Sequence, residues 1–177
     1  MEGQILLWIQ ENLRFDWLNP IMRLITSLGN DSIFWIALTL VLVFFAKTRR
    51  AALGSALAMI LTLIVVNIAL KPIFARTRPY ILLENLQILV ARPGDHSFPS
   101  GHSAHALACS WVLFKSFKNA WGKAALVLGV LVALSRLYVG VHFPTDVLCG
   151  MLIGLLLAEL AMLLLRRLPR GKISSKT

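Results

Sequence analysis

Three stretches between residues 71 and 146 hold polar groups where helices bound for lipid seldom carry them. In KPIFARTRP, Lys71 and Arg78 are seven residues apart. That is about two helical turns, so both cations share a face if the helix runs through them. Pro72 is expected to kink such a helix and Pro79 to stop it. In PSGHSAH, Ser100 and Gly101 form a turn ahead of an apolar run, with His102 and His105 just inside it. A helix N-terminus offers unpaired N–H groups and a partial positive charge, a natural seat for phosphate. Gly101 lets a ligand come close to the backbone. In SRLYVGVHFPTD, Arg136 lies inside an apolar run, at a cost of roughly 2.5–3.5 kcal/mol even on a lenient insertion scale. His142 follows at the end of that run. Pro144 suits the first turn of the next helix, and Asp146 falls in that turn.

Each group has an ordinary reading by itself. Lys71 and Arg78 could snorkel at a membrane edge, Ser100 could be a plain helix cap, and Asp146 could complement a helix dipole. His142 could be a surface histidine, and His105 reads as a satisfied buried one. Taken together, the groups suit phosphoryl transfer. Three cations and a ring of N–H donors match a group whose charge spreads over three oxygens. A histidine can attack phosphorus when a carboxylate fixes its tautomer, and a second histidine can protonate the leaving oxygen. A non-catalytic phospholipid-binding or carrier protein is the reading from a different class; it would use the cations but need no nucleophile.

The elements that must position these groups are membrane helices. The 177 residues are 58% hydrophobic and 15% charged, with a mean hydropathy of +0.75. A soluble domain of this size could not hide that much apolar surface. Apolar runs at 32–46, 51–70, 97–114, 124–141 and 147–165 give five expected spans. The expected fold is therefore an all-α membrane bundle forming one domain. Its core covers residues 32–166, after an N-terminal segment 1–31 and before a basic tail 167–177. ILLWIQENLR and WLNPIMRLITSL are short and carry Glu11, Arg14 and Arg23, so they read as amphipathic helices lying at the interface. One bent sixth span is the alternative. No secretory signal pattern is expected, and Cys109 and Cys149 read as packing residues rather than a disulfide or metal framework.

Net charge is +10, which in a soluble protein would suggest nucleic acid. Here 11 of the 18 basic residues fall at 47–50, 115–123 and 166–176, on one side if the five spans alternate. The positive-inside rule makes that side cytoplasmic, so all three polar stretches face outward. No nucleic-acid partner is expected.

Lys71-x6-Arg78-Pro79, Pro99-Ser100-Gly101-His102 and Ser135-Arg136-x5-His142-x3-Asp146 resemble the three-part signature of the type 2 phosphatidic acid phosphatase superfamily. The resemblance implies a multi-pass enzyme of a bacterial plasma membrane acting on a phosphorylated lipid at the outer face, without a metal or other cofactor. It makes His142 the nucleophile, Asp146 its partner and His102 the acid for the leaving group. Lys71, Arg78, Ser100, Gly101 and Arg136 would hold the phosphate. By analogy the first substrate to consider is undecaprenyl pyrophosphate, with phosphatidylglycerophosphate and phosphatidic acid as alternatives. The apolar 81–90 segment reads as an interfacial connector, and Gly150-x3-Gly154 as a close helix contact.

Overall fold

The computed structural model describes residues 1–167, so all but the first residue of the expected basic tail lies outside the described part. Among the described residues all regular structure is helical. Helices α1 (Glu2–Leu13) and α2 (Leu18–Ser27) lead through a 3₁₀ turn at Asn30–Ser32 into α3 (Ile33–Phe44). Helix α4 (Arg49–Thr62) passes into π-wound turns at Leu63–Leu70 and then α5 (Lys71–Phe74). Pro72 has no N–H to give to the carbonyl four residues back, and the turns ahead of it are the widened ones. A single turn, α6 (Pro79–Leu82), precedes a long loop. Helices α7 (Gly101–Ser116), α8 (Ala120–Tyr138) and α9 (Pro144–Arg167) complete the bundle.

Among the described residues, three stretches are long and apolar enough to cross a bilayer: Arg49–Leu82, Ala120–Tyr138 and Pro144–Arg167. A fourth exists if Leu18–Ser27 and Asn30–Phe44, which meet at 52°, count as one. The expected runs at 32–46 and 97–114 appear as shorter helices. Helix α3 has 12 residues, because Asp31 and Ser32 adopt positive φ ahead of it and Phe45 turns extended at its end. Helix α7 has 16, because Ser100 caps it only after Pro99.

The core forms around α7. Its buried residues, from Gly101 to Leu113, point in every direction, as a helix surrounded by others requires. Helices α4, α8 and α9 pack around it. The approach to α9 is backbone-close: a Cβ on Gly150 would stand 2.5 Å from the Ser100 carbonyl oxygen, and one on Gly154 2.3 Å from that of Ala104. The expected small-residue contact thus lies within the chain. It ties the start of α9, which carries Asp146, to the start of α7.

Helices α1 and α2 lie over the end of the bundle where α8 stops and α9 starts. Arg14 Nε donates to the Tyr138 carbonyl at 2.9 Å, Tyr138 Oη to Asn19 at 3.0 Å, and Thr145 N–H to Glu2 at 2.9 Å. The 81–90 segment packs there as well. Leu86 is buried with Leu6 and Phe143, and Ile88, Leu89 and Val90 lie against Tyr138, Val139 and Val141. It is a connector held by the protein.

Candidate active site

Four helix ends deliver the site. Lys71 opens α5, Arg78 precedes α6, Ser100 caps α7, and Arg136 ends α8. His142 occupies the turn before α9, and Asp146 its first turn. One expectation fails. Lys71 and Arg78 do not share a helix face, because α5 ends at Phe74 and Ala75 takes a left-handed conformation with φ 43°. The chain is extended at Arg78, and Pro79 starts a helix instead of stopping one. The two cations meet nonetheless, through a residue the motif reading did not contain.

That residue is Asp95. Its Oδ2 pairs with Lys71 Nζ, and its Oδ1 accepts from Arg78 Nη2 at 2.5 Å. Its main-chain carbonyl accepts from Arg78 Nε at 2.8 Å. Burial by itself would raise the Asp95 carboxyl; the Lys71 and Arg78 contacts outweigh it and pull the pKa down to about 2. Lys71, Arg78 and Arg136 are all buried. Arg136 Nη1 donates to Thr26 Oγ1 at 2.6 Å, while its Nε is buried without a partner. The last turn of α8 thus presents a desolvated guanidinium with donor capacity left over.

The His142–Asp146 pair is fully buried behind these cations. Asp146 Oδ2 accepts from Ser97 Oγ at 2.5 Å and from the Phe143 N–H at 2.8 Å. Its Oδ1 accepts from Arg76 Nη1 at 2.6 Å. Held at three points, it stands 3.6 Å from His142 Nδ1. On the other side of the ring, Arg78 Nη1 lies 3.2 Å from Nε2. A guanidinium can only donate, so Nε2 is the unprotonated nitrogen and Nδ1 carries the hydrogen, facing Asp146. This is the tautomer a nucleophilic Nε2 requires.

Asn30 Oδ1 lies 3.1 Å from His102 Nε2, and a Cβ on Gly29 would come within 2.6 Å of the imidazole. The corner between α2 and α3 therefore rests directly on this histidine. Ser100 behaves as a cap, its Oγ accepting from the Ser103 N–H at 3.4 Å and from Ser103 Oγ at 2.9 Å. His105 is satisfied by the Gly101 carbonyl at 3.0 Å. A cavity of about 610 Å³ is lined by Lys71, Arg78, Gly101, His102 and Arg136, and by Asp95. Ser100, His142 and Asp146 are buried and do not line it. Away from the polar end its wall is apolar, with Ile36 from α3 and Ala56, Met59 and Ile60 from α4.

The motif reading also missed Arg76, Ser97, Thr26 and Asn30. Arg76 was visible as a third cation between Lys71 and Arg78. Besides Asp146 it grips Glu2 at 2.6 Å and stacks over Phe143, joining α1 to the start of α9. Thr26 and Asn30 gave no local signal, since their partners lie far along the chain.

Residues 51–170 match the PAP2 superfamily, over more than half of the chain and across every site residue from Lys71 to Asp146. The chain belongs to this superfamily. The "Undecaprenyl-diphosphatase" of Sulfolobus acidocaldarius is 31% identical over 138 residues, 77% of this chain and 66% of that relative, just under two thirds of its length. The "Phosphatidylglycerophosphatase B" of Bacillus subtilis is 36% identical over 159 residues, 82% of this chain and 74% of the relative. A crystal structure of a transmembrane PAP2-type phosphatidylglycerolphosphate phosphatase from Bacillus subtilis matches with a TM-score of 0.75 at 31% identity, covering 96% of this chain and 87% of that one. By family this PAP2 chain is a phosphate-ester hydrolase of the multi-pass membrane type. Helices α1 and α2, which cover the site, precede the matched segment.

Proposed function

We propose that this PAP2 protein hydrolyses a phosphate or diphosphate ester of a membrane lipid through a phosphohistidine at His142. The observation that carries the proposal is the state of His142: Nε2 accepting from Arg78, Nδ1 turned to Asp146, three buried cations alongside. The phosphoryl oxygens take Lys71, Arg78, Arg136 and the N–H groups at Gly101 and His102, with Ser100 holding that helix start in place. As Arg78 turns to the phosphate, His142 Nε2 attacks phosphorus and the bond to the leaving oxygen breaks. His102 gives that oxygen a proton. Asp146 stabilises the cationic ring that results. Water then attacks phosphorus, His102 accepts its proton, the P–N bond breaks, and inorganic phosphate leaves.

The apolar wall between α3 and α4 supports a lipid substrate, since Ile36 and Ile60 line the same cavity as the cations and are exposed at the bundle surface. We take α3, α4, α7, α8 and α9 as the five crossings. Helices α1 and α2 then lie at the interface within a single domain, consistent with the exposed Trp8, Phe15, Trp17 and Leu24. Lys47, Arg49, Arg50, Lys115, Lys118 and Lys123 sit at the end opposite the site, which supports an outward-facing site in a plasma membrane. Undecaprenyl diphosphate is the leading substrate, by the name of the archaeal relative. Phosphatidylglycerophosphate is the second reading, supported by the Bacillus relative and the fold match. The test is phosphate release by the purified protein in detergent from undecaprenyl diphosphate, phosphatidylglycerophosphate and phosphatidic acid. The reading expects fastest turnover on the diphosphate. Turnover on none of the three contradicts it.

A further inference from the structure

Asp95 stands where a substrate phosphate would have to bind. Its carboxylate bridges Lys71 and Arg78, two of the three cations at the polar end of the cavity. Its side chain is 50% exposed, whereas those of Lys71 and Arg78 are 7% and 3% exposed. The carboxylate therefore covers the cations from the cavity side, between them and an incoming ligand. An anion cannot take both cations while Asp95 keeps them. Charges this deeply buried are costly without a counter-anion, and Asp95 supplies one to Lys71 and Arg78.

The same contact reaches the nucleophile. Arg78 is held by Asp95 at Nη2 and Nε, and this grip presents Nη1 to His142 Nε2 at 3.2 Å. While Asp95 holds the guanidinium, the lone pair that must attack phosphorus is engaged. With half of its side chain exposed, Asp95 has open space into which the carboxylate can withdraw.

Resting on the phosphatase reading above, we infer that Asp95 is an internal counter-anion that a substrate phosphate displaces, and that it thereby sets phosphate affinity and uncovers His142 only when phosphate binds. Two consequences follow from the chemistry. A phosphate dianion, with three oxygens and greater charge, competes with one carboxylate better than a monoanionic diester does, so Asp95 favours terminal phosphates over diesters. It also returns to the cations as inorganic phosphate leaves, which weakens product binding.

The test uses the purified full chain in detergent and compares wild type, Asp95→Asn and Asp31→Asn. Asp31 lies on the same cavity wall with no ion pair to the cations, so its variant controls for the loss of a nearby charge. The probe is inorganic phosphate, read as its inhibition constant and as the rise in melting temperature on titration. Asp95→Asn is expected to bind phosphate at least about tenfold more tightly than wild type, the worth of a displaced charge-assisted pair. Asp31→Asn should change the constant less than threefold. If Asp95→Asn is unstable, it is purified in phosphate and then dialysed, and the phosphate-dependent melting shift should exceed that of wild type. Phosphate affinity equal to or weaker than wild type in Asp95→Asn overturns the inference. Equal tightening in Asp31→Asn overturns it as well. A wild type that binds phosphate but hydrolyses no lipid ester overturns the phosphatase reading instead, and leaves the affinity comparison to decide the role of Asp95.

Discussion

Replacing Asp146 with Asn keeps the size of the side chain and removes the negative charge that faces His142. The ring becomes cationic when Nε2 bonds to phosphorus, because Nδ1 keeps its hydrogen. Asp146 Oδ2 lies 3.6 Å from that nitrogen. Opposite unit charges at this distance attract by about 4.6 kcal/mol at an effective dielectric constant of about 20. The attraction acts on the transition state and not on the neutral ring. Loss of all of it slows turnover about 2,000-fold, and loss of half about 50-fold. The amide also fits poorly, since Arg76, Ser97 and the Phe143 N–H all donate to this carboxylate and an NH₂ cannot accept. The assay is kcat on p-nitrophenyl phosphate, whose leaving group needs no proton, with the melting temperature checked in parallel. A folded Asp146→Asn protein within threefold of wild type would refute the reasoning.

His102→Ala should lose roughly 10²–10⁴-fold on a lipid alkoxide leaving group and far less on p-nitrophenolate; an equal loss on both, measured as kcat, removes His102 from the role of acid. Gly154→Ala places a methyl 2.3 Å from the Ala104 carbonyl oxygen, so α9 must back away from α7 by about 1 Å. Overpacking of this kind costs about 1–3 kcal/mol, and a melting temperature equal to that of wild type contradicts the packing described. Glu159 accepts from Trp111 Nε1 at 2.7 Å and lies 3.3 Å from Lys115 Nζ. It is about 20 Å along α9 from Asp146, so Glu159→Gln should turn over within twofold of wild type.

The polar cluster was legible in the sequence wherever a residue type was costly in its setting. Arg136 inside an apolar run and histidines at the mouth of a span have few uses, and each fell at the polar end of the bundle. Other features had no local trace. The seven-residue spacing of Lys71 and Arg78 suggested one helix, but a left-handed Ala75 ended it early, and alanine gives no warning of such a turn. Asp95 looked like any loop carboxylate; only closure of the loop shows that it holds both cations. Thr26 meets Arg136 from 110 residues away, a distance at which no spacing rule applies. Helices α3 and α7 came out shorter than their apolar runs because caps and positive-φ residues, not hydropathy, set where a helix begins.

The most direct test of the account is to look for the covalent intermediate. Wild type is mixed with substrate labelled in the scissile phosphate, quenched in alkali within milliseconds, and the label is located by peptide mass. The account predicts an acid-labile, alkali-stable phosphoryl group on His142 that forms and decays at the rate of turnover and is missing from His142→Ala, which is inactive. Label on another residue, or continued turnover by His142→Ala, contradicts it.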